Sequence, residues 1–301
     1  MIMAKHNFVI LNGQVLQEPR ISRDSETGEY IRGIGAILTI RGIRDFGNNI
    51  DHLKYDSPLI MSGNPEMIKI MATWHKGDMV EIKGAVTTKD VTKSVTCKEC
   101  GHKNKKKGNV VFVNPIYICV RETGVDEETG QRLLKERCEI SNQATLIGPV
   151  CREPKTFRTN KGLMITTYQL AVRRKYRIKD DSADIRTDFP WIKSYGNIAI
   201  NDAKTLKKGS YIFVDGMLQT RELERIQICE KCGTECKWHD SAMEIVPYAT
   251  EYLRDFYTKE EIEKREAEEG RLAAEQVLNE QEIDSVLPMD DPFVEEEQND
   301  E

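Results

Sequence analysis

The sequence has no run approaching the roughly 20 apolar residues that span a bilayer, and its first ten residues carry no long apolar stretch ending in a small-residue cleavage site. Both absences point to a cytoplasmic chain with no membrane partner. Equally missing are the GxxxxGK[ST] phosphate loop, the HExxH metalloprotease pattern, and the HxE plus PCxxC of nucleobase deaminases. The 5 histidines, His6, His52, His75, His102 and His239, are scattered along the chain. No catalytic residue is therefore assigned and a non-enzyme is expected. A nuclease that gathers acidic residues from distant positions would leave no such trace and stays open as an alternative.

The net charge of −6 conceals a strong asymmetry. Residues 251–301 hold 5 basic and 19 acidic side chains, a net of −14, which leaves a body of net +8. A basic body attracts a polyanion, and an acidic tail repels one or docks on a basic partner.

The body reads as two β-rich halves. Asn7-Phe-Val-Ile-Leu-Asn-Gly-Gln-Val-Leu-Gln-Glu-Pro19 and Asn142-Gln-Ala-Thr-Leu-Ile-Gly-Pro-Val-Cys-Arg-Glu-Pro154 share Asn, Gly, Val, Glu and Pro at matching offsets. Each half continues with an apolar strand (34–40; 165–172) and a short helical segment (65–74; 198–206). A Lys-Gly turn follows (Lys76-Gly77; Lys208-Gly209), then Cys-x-x-Cys-Gly (Cys97/Cys100; Cys229/Cys232). Matching landmarks in one order indicate a tandem duplication. Strand, strand, strand, helix, strand, strand without βαβ alternation predicts an all-β architecture of two OB-type barrels, each with a Cys-containing loop between its fourth and fifth strands. The expected boundaries are a first barrel over 1–122, a linker over 123–137, a second barrel over 138–257, and a helix with a disordered acidic tail over 258–301. Thr258 is placed to cap that helix, from Lys259 to about Leu278, with Glu260, Glu261 and Glu263 in its first turn.

Within the second half, Phe189, Trp191, Lys193 and Tyr195 recur at every second position, so on a strand they share one face. In a chain with 7% aromatics, three rings and a cation in a row match what a stacked base and its phosphate require. Aromatics packed into a core would give the same spacing, but an unpaired lysine in register with them argues against full burial.

With no export signal, the 8 cysteines read as metal ligands before disulfides. Cys229, Cys232, Cys236 and His239 supply four zinc-type ligands within eleven residues, the donor set of a closed, structural Cys₃His site. Cys97, Cys100 and His102 form a weaker copy that admits a second Zn²⁺, followed by a basic run at Lys103, Lys105, Lys106 and Lys107. Cys119, Cys138 and Cys151 are expected to be small buried or incidental side chains.

Residues 142–223 resemble the bacterial single-stranded-DNA-binding protein family. The resemblance rests on Asn-x-x-x-Leu-Ile-Gly-x-Val-x-x-Glu-Pro, on Tyr168-Gln-Leu-Ala-Val-Arg-Arg-Lys-Tyr-Arg177, on Thr187-Asp188-Phe189, and on Leu206 through Arg221. It implies sequence-independent binding of single-stranded DNA in replication, recombination or repair, in the cytoplasm at the nucleoid. It also implies four barrels per assembly, which two per chain reach as a homodimer. Carried over residue by residue, Tyr176, Phe189 and Tyr195 take stacking places. Leu223 and Glu224 stand where a Trp is usual, and Trp191 is a substitute platform. Arg173, Arg174, Lys175, Arg177, Lys193 and Arg221 complete the expected nucleic-acid surface.

The first half resembles the family less. Aligned on Gly63, it puts Asp56 and Ser62 in the stacking places, so a degenerate barrel is expected. In the tail, Asp290, Asp291, Pro292 and Phe293 resemble the family's partner-recruiting tip for replication and repair proteins, with eight residues following the Phe. Two other readings remain: a zinc-containing nuclease or hydrolase that holds nucleic acid on its barrels, and a recombination or conjugation scaffold with weak DNA affinity.

Overall fold

The structure, a computed structural model, describes residues 4–41, 54–175 and 187–286, with side chains in the last helix described as far as residue 275. Met1–Phe256 form one compact unit and Tyr257–Glu301 another.

The first barrel is built from β1 (His6–Val15), β2 (Arg20–Arg23), β3 (Tyr30–Ile40), β4 (Tyr55–Asp56), β5 (Leu59–Ser62), α1 (Pro65–Met71), β6 (Met79–Thr96) and β7 (Lys103–Glu122). It closes because β1 pairs with both β3 and β6, β6 pairs with β7, and β7 runs parallel to β5, which returns to β3. After α2 (Glu127–Glu136) and α3 (Cys138–Ser141), the plan repeats. The second barrel contains β8 (Asn142–Pro149), β9 (Lys155–Arg158), β10 (Met164–Gln169), β11 (Val172–Arg173), β12 (Thr187–Asp188), β13 (Trp191–Tyr195), α4 (Gly196–Thr205), β14 (Tyr211–Ile228) and β15 (Glu235–Arg254). A bridge between Val150 and Leu170 closes it. Both halves are OB barrels, as the element order predicts.

Sequence explains the local geometry. Asn64 accepts from the Glu66 amide at 3.1 Å, Pro65 takes the first position of α1, and Ile68 and Met71 point into the core. Gly84 and Gly216 mark a bulge in the fourth strand of each barrel. A Cβ there would meet the carbonyl of Asn114 at 2.6 Å or of Val246 at 2.3 Å, so only glycine lets the strands approach.

The two cores distribute bulk differently. Gly35 faces Ile60 in the first barrel where Tyr168 faces Ile192 in the second. Trp74 precedes the Lys76-Gly77 turn where Leu206 precedes Lys208-Gly209. Trp74 fills the space over Gly35, whose Cβ would lie 3.2 Å from the indole, and Tyr168 is itself fully buried. Cores pack to crystal density, so each pair conserves volume by an opposite choice.

β1 also pairs antiparallel with β8, with Val9 opposite Ala144, and joins both barrels into one thirteen-stranded sheet. Asn7 clasps the Val86 backbone through both amide atoms at 2.8 Å, and Asn142 clasps Leu218 at 2.8 and 2.9 Å. The seam thus carries an internal pseudo-two-fold relation.

The expected linker is a helix. Asp126 caps α2 by accepting from the Thr129 amide at 2.9 Å, and Leu133 and Leu134 join Ile40, Met79 and Cys138 in a satellite core. The residues that break a strand pattern here serve a helix N-terminus, and Gly130 sits where a Cβ would strike the Gln14 amide.

In the second unit, α5 (Lys259–Val286) starts from a reciprocal capping box: the Thr258 amide donates to Glu261 at 2.8 Å and the Glu261 amide to Thr258 Oγ1 at 3.3 Å. It runs eight residues past the predicted Leu278 end. No helix is long and apolar enough to cross a membrane, among the described residues.

Candidate nucleic-acid interface

Strand register assembles an aromatic face on the second barrel. Tyr195 of β13 stands opposite Ile165 of β10, which stands opposite Phe157 of β9; the adjacent row is Lys193, Thr167 and Lys155, and Trp191 faces Gln169. Phe189, Trp191 and Phe157 are 43%, 39% and 47% exposed, far from the burial that core packing would impose. Gln169 Nε2 donates to the Phe189 carbonyl at 2.9 Å and the Phe189 amide to Thr88 Oγ1 at 3.0 Å, which fixes the backbone beneath these rings. The Arg152 guanidinium lies 5.8 Å from the Trp191 ring. Phe157 was not singled out by sequence; its signal is the alternation of Lys155 and Phe157 in a strand of exposed residues.

The expected cations divide. Arg173 and Lys175 are exposed. Arg174 is not on the face: its guanidinium makes paired hydrogen bonds of 2.6 and 2.8 Å to the buried Asp188. Lys193 is largely covered and pairs with Glu244 at 3.7 Å, and burial lowers its pKa. Sequence could not reveal that partner, which arrives from β15. Arg221 donates from Nη2 to Glu244 Oε2 at 3.0 Å with the charges as close as 2.7 Å, and the Tyr195 hydroxyl, half-buried, lies 3.5 Å from Gln219 Nε2. Tyr176, Arg177 and the tail residues Asp290, Asp291, Pro292 and Phe293 lie outside the described residues.

The structure corrects the register of the first barrel by one residue. Ile60 bridges Val113 as Ile192 bridges Ile245, so Asp56 corresponds to Asp188, Ser57 to Phe189, Leu59 to Trp191 and Gly63 to Tyr195. Asp56 is buried and held by Arg41 at 2.5 and 3.0 Å, the image of Arg174 and Asp188, and faces no phosphate. Every ring of the aromatic face is absent from this barrel, and Ser22 stands where the other has Phe157.

The Cys-containing loops are long two-stranded arms, β6–β7 and β14–β15, with a Cys-x-x-Cys knuckle at each tip. Thr92, Ser94 and Thr96 stand opposite Lys107, Lys105 and Lys103, a row of alternating, exposed side chains, while Lys106 lies 5.4 Å from the Trp238 ring of the other arm. Lys93 reaches Asp240 across the arms.

The tips meet. Sγ of Cys97 is 3.6 Å from that of Cys232, Sγ of Cys100 is 3.6 Å from that of Cys229, and all four lie within 4.8 Å of one another. A tetrahedral zinc with bonds of about 2.3 Å requires sulfur–sulfur edges of about 3.8 Å, so the donor set fits one metal ion. The four thiols that the fold gathers thus differ from the Cys229, Cys232, Cys236 and His239 set expected from spacing. Cys236 is buried against the cluster and accepts from Asn104 Nδ2 at 3.9 Å. His239 is three residues further along an extended strand, about 10 Å away and on the opposite face. His102 uses its carbonyl to receive the Cys97 amide at 2.8 Å. Both expected sets paired neighbours in sequence, whereas the fold pairs one knuckle from each half.

Backbone amides tune the thiols. The Cys232 amide leads in drawing the Cys229 thiol down to about 6, and the Cys100 amide lowers Cys97. The His102 amide acts in the same sense on Cys100, yet burial and hydrogen bonds to the other thiols carry it up to about 12. The remaining cysteines are placed as expected: Cys138 is in the satellite core, and Cys119 and Cys151 are half-buried.

Residues 141–237 match the Single-strand binding protein family. Single-stranded DNA-binding protein A of Bacillus subtilis is 36% identical over 86 residues, 29% of this chain and 49% of that protein; this chain thus spans about half of its length. Single-stranded DNA-binding protein 2 of Tropheryma whipplei is 28% identical over 140 residues, 42% of this chain and 92% of that protein. Among solved structures, the wild-type single-stranded DNA binding protein from Thermus aquaticus is similar over 85% of this chain and 97% of its own, with a TM-score of 0.52 and 15% identity. A deletion mutant of it gives a TM-score of 0.54 at 18% identity. These two likenesses concern the fold.

Proposed function

We propose, from the premise that the second barrel is a single-strand binding protein family domain, that this chain coats single-stranded DNA without catalysis and without sequence preference. The observation that carries the reading is the outward array of Phe157, Phe189 and Trp191 on one barrel face. Rings offer every base a π-face, which gives affinity without sequence readout. Arg152, Lys155, Arg173 and Arg221 surround the array and suit phosphates, whose neutralisation releases counterions. Replacing Phe189 and Trp191 by Ala should weaken binding to an oligo-thymidine strand by about 1–3 kcal/mol per ring. Unchanged affinity in the double variant would sink the reading.

One structural Zn²⁺ held by Cys97, Cys100, Cys229 and Cys232 belongs to this proposal. Its closed sulfur set would leave no position for substrate and would clamp the two arms together. The working unit is a homodimer of four barrels, and light scattering at micromolar concentration that returns a single-chain mass would refute it. The acidic tail recruits a replication or repair partner through Asp290, Asp291, Pro292 and Phe293. Deleting residues 279–301 should abolish capture of such partners and raise DNA affinity at low salt.

A further inference from the structure

The first barrel has lost its rings, and the lost bulk is not refilled. Where Phe189 and Trp191 stand in the second barrel, Ser57 and Leu59 leave a cavity of about 460 Å³ between the barrel face and the roots of the two arms. Its floor is Ala36, Ser57 and Leu59. The walls come from both halves of the chain: Val110 and Val111 from β7, and Ala242 and Met243 from β15. Lys93, Thr220, Arg221, Glu222 and Ser241 add polar groups, so the lining is half apolar and half polar.

We propose that this cavity accepts one unstacked nucleobase of the bound single strand, so that the first barrel holds DNA by insertion where the second holds it by stacking. The inference rests on the single-strand-binding reading above. A slot with apolar side chains, hydroxyls and cations in its lining suits a flat ring whose perimeter is polar and whose sugar carries phosphates on both sides. The volume falls in the range of small-molecule pockets, ample for one base and its sugar. A continuous row of ion-paired side chains links the two faces. Lys193 on the aromatic face pairs with Glu244 at 3.7 Å, and Glu244 pairs with Arg221 at 2.7 Å, which itself lines the cavity. The row that starts beside Tyr195 thus ends on a residue of the cavity lining. The internal pseudo-two-fold relation explains the position, because the cavity occupies the image of the stacking platform.

The test uses the full chain and two oligo-thymidines, one of about 8 nucleotides for the second barrel alone and one of about 30 that reaches both. Ala36→Phe and Ala242→Phe fill the cavity from opposite sides, so that one remains if the other does not fold. Either filled variant, with an unchanged melting temperature, should bind the long strand about five- to tenfold more weakly and the short strand normally. A 4-thiothymidine in the long strand should photo-crosslink to Met243 in the wild type and lose that crosslink in the filled variants. Folded variants that bind the long strand like wild type overturn the proposal. If Phe189→Ala/Trp191→Ala still weakens both strands in that case, only the cavity assignment falls. If it weakens neither, the parent reading falls with it.

Discussion

Asp188 Oδ1 accepts a hydrogen bond from the backbone amide of Thr88 at 2.9 Å, across the seam between the barrels. The image of this contact joins Asp56 Oδ1 to the Thr220 amide at 2.8 Å. Each carboxylate is also locked by an arginine of its own barrel, so an intra-barrel ion pair doubles as an inter-barrel latch. Removing one partner strands a buried charge. Asp188→Asn should cost about 3–5 kcal/mol in denaturant unfolding, and Asp56→Asn a comparable amount. Losses within experimental error would show that the latch is ornamental.

Phe157 shares a row with Tyr195 and is exposed. Its replacement by Ala should weaken single-strand affinity by about 1–3 kcal/mol and leave folding intact, because the ring buries little in the free protein. Filter binding at fixed salt reads the effect directly.

For the thiol cluster, elemental analysis should find one zinc per chain. Cys97→Ser or Cys229→Ser should lose it, while Cys236→Ser and His239→Ala should retain it. Retention of zinc by Cys97→Ser together with its loss from His239→Ala would favour the sequence-local ligand set.

Lys103, Lys105 and Lys107 alternate along one strand of an arm. If they meet phosphates, exchanging all three for Ser should lower the slope of log affinity against log salt by about 2 in a titration, since each contact to a single strand contributes about 0.7. A parallel shift with no change of slope would assign them another role.

Asp202 is buried and receives the Tyr168 and Tyr252 hydroxyls at 3.1 and 2.8 Å; burial, the larger effect, raises its pKa. A raised carboxyl pKa means that the folded state holds its proton to higher pH than the unfolded chain does. Ionisation therefore opposes folding, and the contribution turns against stability as pH climbs from the ordinary carboxyl value through the raised one. Asp202→Asn should gain on wild type as pH rises above the ordinary carboxyl value of about 4, in urea unfolding followed against pH. A difference that is flat with pH would contradict the assignment.

Much of this was legible in the sequence. The repeated Asn, Lys-Gly and Cys-x-x-Cys landmarks announce two barrels because each marks a backbone need: a clasp, a turn, a knuckle. The alternation of Phe189, Trp191 and Tyr195 locates the face because strand periodicity is strict. An alignment of the first barrel on Gly63 and Gly196 is one residue out of the observed register. A slip of one residue inverts every side chain, and the shared Asp-x-Pro of Asp56-Ser57-Pro58 and Asp188-Phe189-Pro190 is the better anchor. Spacing reports only neighbours along the chain, whereas the thiols beside Cys229 and Cys232 come from the opposite arm. Ion pairs such as Lys193–Glu244 and Arg174–Asp188 are likewise long-range, so charge alone could not separate a phosphate contact from an internal brace.

The opposite volume choices at Gly35 with Trp74 and Tyr168 with Leu206 have a genetic consequence. A gene conversion that copied only the Gly35/Tyr168 position from one half into the other would bring a tyrosine against the Trp74 indole, or leave an empty space beside Leu206. Either hybrid would be culled at the folding step. Exchange of one position alone between the halves is thereby costly, whereas exchange of both together keeps the volume match.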